Sequence, residues 1–249
     1  IVDQYYELVT DLGGIENLSL IPGTIGAAPI QNIGAYGAEL QDVFVELEAI
    51  DIRLRQRKNF VKEACHFGYR SSIFKKEAKG MYMILSVTLQ LAKKPVFNTS
   101  YAHIQDELNS MGITELSLKA VSDAVIRIRQ SKLPDPAVIG NAGSFFKNPS
   151  SSDAAFAILQ TTYNDIPSFK QSDGVKIPAA WLIEHCHPEN ALSWKGYRER
   201  NYGVHDRQAL CLVNYADAHG SDILHLSERI ITSVQQAFNI TLEREVNIW

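Results

Sequence analysis

At 249 residues, 45% apolar and 21% charged, the chain has the make-up of a folded soluble protein, with room for one large domain or two modest ones. No apolar run approaches the roughly 20 residues that cross a bilayer. A net charge of −4 argues against a general nucleic-acid surface but allows an anionic small molecule wherever basic side chains gather. The three widely spaced cysteines, Cys65, Cys186 and Cys211, suggest reduced thiols in a cytoplasmic protein.

In chain order, Val2, Tyr5, Tyr6 and Val9 predict a helix over 2–10, which Gly13-Gly14 would stop. Residues 21–37 follow as a loop broken by glycines at 23, 26, 34 and 37 and prolines at 22 and 29. Ile21, Ile25, Ile30 and Ile33 make it too apolar for a solvated linker. Its buried backbone polar groups need partners, and a bound cofactor is one that would serve. Val43–Ile52 and Met81–Leu91 read as strands. Between them Arg70 follows Gly68-Tyr69 in a short break that would aim a guanidinium inward. Residues 102–111 read as a short helix, and Val121–Ile128 as another strand ending in Arg129-Gln-Ser-Lys132.

Leu133-Pro-Asp-Pro136 is the strongest boundary signal, because two prolines in four residues force an extended connector. Helices are expected over 151–163, 179–187 and 221–238, the last with an apolar stripe of Ile223, Leu226, Ile230, Val234 and Phe238. A closing strand, 240–248, would project Glu243 and Glu245 from one face. His185-Cys186-His187 resembles a metal tract, but neighbouring residues on a helix diverge and no second cluster completes it, so no metal is expected. The chain opens with Ile1 and its first methionine is Met81, which suggests a natural start further upstream.

The stretch Gly140-Asn-Ala-Gly-Ser-Phe-Phe-Lys-Asn-Pro149 stands out. Its glycines permit a tight turn before Ser144, Phe145 and Phe146 can anchor it, and Lys147 and Asn148 add a cation and an amide. A rigid loop of this kind would hold the Ser144 hydroxyl for proton transfer. An ordinary Gly/Ser/Asn turn is the alternative. The absence of Gly-x-Ser-x-Gly argues against a hydrolase elbow.

Five segments in order, Ile21–Gly37, Phe67–Ser72, Lys132–Pro136, Gly140–Pro149 and Leu242–Val246, resemble the UDP-N-acetylenolpyruvoylglucosamine reductase family, in its longer variety. The resemblance implies an α+β fold. An FAD-binding subdomain of the vanillyl-alcohol-oxidase (PCMH) kind would occupy 1–133, an α+β substrate-binding subdomain 134–239, and a closing strand with the active-site glutamate 240–249. A first subdomain with the pyrophosphate-binding glycine loop would precede Ile1, so the chain alone is expected to hold FAD poorly.

The resemblance makes Ser144 the proton donor, with Arg70 and Glu245 as the other catalytic residues. Tyr101, Lys132, Asn148, Lys176 and Gln208 would contact substrate, and Ala27, Ile30, Gly34, Ile84 and Arg129 would contact FAD. It is weakest at 187–194 and 200–203, which read as a flexible loop near the substrate or nicotinamide. The implied reaction is NADPH-dependent reduction of UDP-N-acetylglucosamine enolpyruvate by a cytoplasmic monomer. The alternatives are a flavin-free, inactive module that binds UDP-sugars, and another oxidase of the same flavin superfamily.

Overall fold

In a computed structural model, residues 12–248 other than 102 and 173 are described. The helix expected over 2–10 lies outside them. The chain divides into two compact units, Ile1–Ser131 and Lys132–Trp249, and the division falls beside the Pro134/Pro136 pair.

The first unit is built on an antiparallel sheet ordered β4-β3-β5, from β3 (Phe44–Asp51), β4 (Gln56–Val61) and β5 (Tyr82–Leu89). The two apolar strands match the reading of the sequence. β4 was not anticipated, because its run Gln-Arg-Lys-Asn-Phe-Val is mostly exposed and buries only Phe60. Phe44, Leu47, Ala49, Phe60 and Phe74 form the core on one side of the sheet. A two-strand ribbon, β1 (Gly34–Ala35) with β2 (Ala38–Glu39), closes the glycine-rich segment.

Helix α1 (Ile104–Ser110) lies within the short helix expected at 102–111. Residues 121–128 are not a strand. They lie inside α2 (Leu118–Lys132), where Leu118, Val121, Ala124, Val125 and Ile128 are buried at spacings of three and four. Ser117 accepts the Ala120 N–H at 3.1 Å as an N-terminal cap, and Lys119 pairs with Asp123 at 2.8 Å one turn on. The β-branched content had masked a helical period; packing against Ile104 and Leu108 decides the outcome.

The second unit holds two small antiparallel sheets. One is ordered β10-β11-β12-β6, from β6 (Gly140–Ser144), β10 (Arg198–Glu199), β11 (Tyr202–Val204) and β12 (Cys211–Asn214). The other is β7-β9-β8, from β7 (Ser150–Ser151), β8 (Phe169–Gln171) and β9 (Gly174–Lys176). Helices α3 (Asp153–Thr162), α4 (Ala179–Glu184) and α5 (Gly220–Phe238) fall where their periodicity placed them. In α5, Leu226, Ile230, Val234 and Phe238 face a core shared with Phe145, Phe146, Leu182 and Val204. No described helix is long and apolar enough to cross a membrane.

Residues 240–248 do not form the long strand expected. They make one bridge, Phe146 to Arg244, flanked by Lys147 N–H to Glu243 O (2.9 Å) and Glu245 N–H to Phe145 O (2.8 Å). Arg244 turns onto α5, where its Nε donates to Ser227 Oγ at 2.8 Å, so pairing stops where this side chain anchors the segment.

The stretch 187–194 is also not simply a flexible loop. Leu192 is exposed, but Trp194 is 1% exposed and lies in the core, with the Arg229 guanidinium 5.3 Å from its ring. Ser193 Oγ donates to Glu184 O at 3.0 Å and pins the return. Trp194→Ala should destabilise the second unit by about 3–5 kcal/mol, read by urea unfolding. Trp194→Phe should cost less, because Nε1 is buried with no hydrogen-bond partner among the described residues.

Candidate active site

In the second unit, the stretch from Ser144 to Ser150 is the hub to which the other elements attach. Ser144 stands opposite Cys211 in the β6–β12 ladder. Phe145 N–H donates to Leu210 O at 2.7 Å, and Phe145 O accepts from Glu245 N–H at 2.8 Å. Lys147 forms an ion pair with Glu243. Asn148 Oδ1 accepts the Ala179 N–H at 2.9 Å, capping α4 where Pro178 has no side-chain acceptor. Pro149 O accepts from Ile177 at 2.9 Å, and Ser150 stands opposite Lys176.

Thus Ser144, Asn148, Lys176 and Glu245 all belong to one hydrogen-bonded assembly. The stretch is a strand running into short pairings, not the free-standing turn that its composition suggested. Phe145 and Phe146 are buried and fix it, while Ser144 stays half-exposed on the strand's end. Gln208 enters through its turn: Cys211 N–H donates to Gln208 O at 3.0 Å, and Leu210 N–H to Gln208 Oε1 at 3.2 Å. Lys132 ends α2 at the boundary between the units, half-buried.

In the first unit, Arg70 sits at the tip of a two-residue hairpin closed by reciprocal Gly68–Ser71 backbone bonds of 3.0 Å each. Its φ of 51° is a left-handed conformation that few non-glycine residues adopt. Its side chain is 17% exposed; Nη2 donates to the Gly34 carbonyl and Nη1 lies 3.7 Å from Glu39 Oε1. Gly34 explains itself here: a Cβ would fall 2.8 Å from Arg70 Nη1 and 2.9 Å from the Ala38 carbonyl oxygen. We therefore expect Gly34→Ala to displace the guanidinium and lower turnover by about 10²-fold. Wild-type turnover in that variant would show that the Arg70 position is immaterial.

Three carbonyls of the glycine-rich segment, half-buried or exposed, accept side-chain hydrogen bonds from within the chain. Ser72 Oγ donates to Ile30 O at 2.7 Å, Asn17 Nδ2 to Tyr36 O at 2.8 Å, and Asn98 Nδ2 to Gly37 O at 3.1 Å. This leaves Ala27 and Ile30 exposed beside β5, where Gly26 approaches the Ile84 carbonyl. Small and apolar, this wall suits one face of a planar ring.

Tyr101 meets Tyr36 edge-to-face, with centroids 5.8 Å apart. Burial pushes the Tyr36 hydroxyl above its ordinary value, against the opposing charge of Arg129. Tyr36, Asn32 and Glu39 were not singled out from the sequence. Asn32 and Tyr36 lie within the apolar glycine-rich run and Glu39 two residues beyond it, and their residue types alone do not set them apart.

The His185–His187 tract diverges. His185 stacks on Trp181 with centroids 3.8 Å apart, His187 Nδ1 contacts Pro188 O at 3.0 Å, and burial pushes the Cys186 thiol up to about 12.

Comparisons with known proteins agree with this architecture. The chain takes the mixed α/β fold of the UDP-N-acetylenolpyruvylglucosamine reductase crystal structure from Thermus caldophilus. That match has a TM-score of 0.64 and 21% identity, covering 100% of this chain and 68% of the other. Residues 135–249 match the family model described as UDP-N-acetylenolpyruvoylglucosamine reductase, C-terminal domain. The UDP-N-acetylenolpyruvoylglucosamine reductase of Amoebophilus asiaticus is 55% identical over 236 residues, covering 94% of this chain and 68% of that protein. The one from Flavobacterium johnsoniae is 47% identical over 240 residues, covering 96% and 69%. The chain belongs to the UDP-N-acetylenolpyruvoylglucosamine reductase family.

Proposed function

We propose that this chain reduces UDP-N-acetylglucosamine enolpyruvate to UDP-N-acetylmuramate with NADPH and FAD, a cytoplasmic step of peptidoglycan precursor synthesis that serves wall growth, cell shape and division. The observation that carries the reading is 55% identity over nearly the whole chain to a reductase of that name.

Ala27, Ile30 and Ile84 would form the apolar wall for the isoalloxazine, with Arg129 supplying positive charge and Gly34 holding Arg70 close by. An FAD held there would supply the hydride chemistry, with NADPH as the source of the reducing equivalents. As hydride adds to the terminal vinyl carbon, negative charge develops on the neighbouring carbon and spreads onto the carboxylate. Arg70, planar and permanently cationic, would stabilise that charge. Ser144 would give its proton to the carbon beside the carboxylate, and Glu245 would orient a group or water at that centre.

Lys132, Lys176, Asn148 and Gln208 would hold the diphosphate, sugar and uracil, with Tyr101 capping them. Because Asn148 Oδ1 is used by Ala179, its amide NH₂ is the end left for substrate. The test is steady-state consumption of NADPH with the enolpyruvyl sugar, and mass analysis of the product. A product heavier by two hydrogens supports the reading. NADPH oxidation that yields only reduced oxygen would assign the chain to the oxidases.

A further inference from the structure

We propose that Glu39, oriented by the buried amide of Asn32, is a positioning residue that fixes where the Arg70 guanidinium meets the substrate carboxylate. The inference deepens the function proposed above and rests on the role given there to Arg70.

Asn32 is fully buried with φ 47°, and both ends of its amide are engaged. Oδ1 accepts the Gln41 N–H at 2.9 Å, while Nδ2 donates to Glu39 Oε2 at 2.9 Å and to the Gly68 carbonyl at 3.2 Å. Gln41 Nε2 adds a second donor to the same Glu39 Oε2, at 2.6 Å. Two neutral side-chain amides therefore fix one carboxylate oxygen, the Asp42 backbone N–H also donates to this carboxylate, and Oε1 faces Arg70 Nη1 at 3.7 Å. Asn32 also joins the two segments that define the Arg70 position: the run carrying the Gly34 carbonyl and the hairpin beginning at Gly68. Glu39 and Arg70 are 26% and 17% exposed, so their attraction is less screened than that of a surface pair.

Only a carboxylate satisfies this arrangement. An amide at position 39 would turn its NH₂ either toward the donors of Asn32 and Gln41 or toward the guanidinium. Glu39→Gln, nearly identical in shape, should therefore release Arg70.

The test is a double-mutant cycle in the flavin-loaded enzyme with Glu39→Gln, Arg70→Lys and both together. Two readouts are taken. One is kcat with the enolpyruvyl sugar. The other is the ratio of calorimetric affinities for that sugar and for UDP-N-acetylglucosamine, which lacks the carboxylate. Glu39→Gln is expected to lower kcat about 10-fold and the affinity ratio about threefold, and to add less than about twofold to either loss once Arg70 is lysine.

Glu39→Asp keeps the charge at shorter reach. It should recover part of the activity, and it carries the cycle if Glu39→Gln does not fold. Additive losses in both readouts, or losses that merely follow the thermal midpoint, would overturn the proposal. A parent enzyme that prefers the carboxylate-bearing sugar but does not reduce it would refute the function instead, leaving the binding cycle to decide the role of Glu39.

Discussion

Arg70→Lys is expected to lower turnover by about 10²-fold or more while leaving affinity for the UDP-sugar within about threefold. Lysine keeps the charge but loses the planar pair of donors, and its ammonium cannot reach both the Gly34 carbonyl and a substrate carboxylate from the same hairpin. The guanidinium's low exposure, its hydrogen bond to the Gly34 carbonyl and its pairing with Glu39 hold it in one place. The comparison is kcat for the two enzymes beside calorimetric binding of UDP-N-acetylglucosamine. Unchanged turnover in the lysine variant would reduce Arg70 to a structural ion pair.

Ser144→Ala should separate the two halves of the cycle. Reduction of the flavin by NADPH needs no proton at the substrate carbon, so that half is expected to proceed at the parent rate. Reoxidation by the enolpyruvyl sugar should slow by about 10²-fold or more, the scale of losing a positioned acid. Ser144→Cys should recover part of the loss, because a thiol keeps a transferable proton at nearly the same place. The fold should tolerate both changes: Ser144 is half-exposed, and the strand is held by the buried Phe145 and Phe146. Rapid-mixing absorbance follows each half. Equal slowing of both would mean that Ser144 shapes the flavin pocket and donates no proton.

Much of the architecture was legible where apolar periodicity is long and clean, as in α5, the central strand β3 and its neighbour β5. Legibility failed where burial comes from packing instead of composition. β4 is a charged run made into a strand by the ladder of β3, and α2 is a β-branched run made helical by its contacts with α1. The tail at 240–248 alternates like a strand but pairs over only one bridge, because Arg244 is committed to α5.

At the candidate site, motif residues were visible because their types are unusual in their settings: a serine after two glycines, and an arginine after Gly-Tyr. The residues that hold them were not. Asn32 and Glu39 look like ordinary loop polar residues until their hydrogen bonds are known, and Trp194 could not be read as the anchor of a divergent segment.

The most direct test of the central claim is a single anaerobic double-mixing experiment on the flavin-loaded enzyme. One equivalent of NADPH is added first, and the bleached enzyme is then mixed with one equivalent of UDP-N-acetylglucosamine enolpyruvate. The account predicts full return of the oxidised flavin absorbance in one turnover, with UDP-N-acetylmuramate formed in equal amount. Flavin that stays reduced until oxygen is admitted would contradict it.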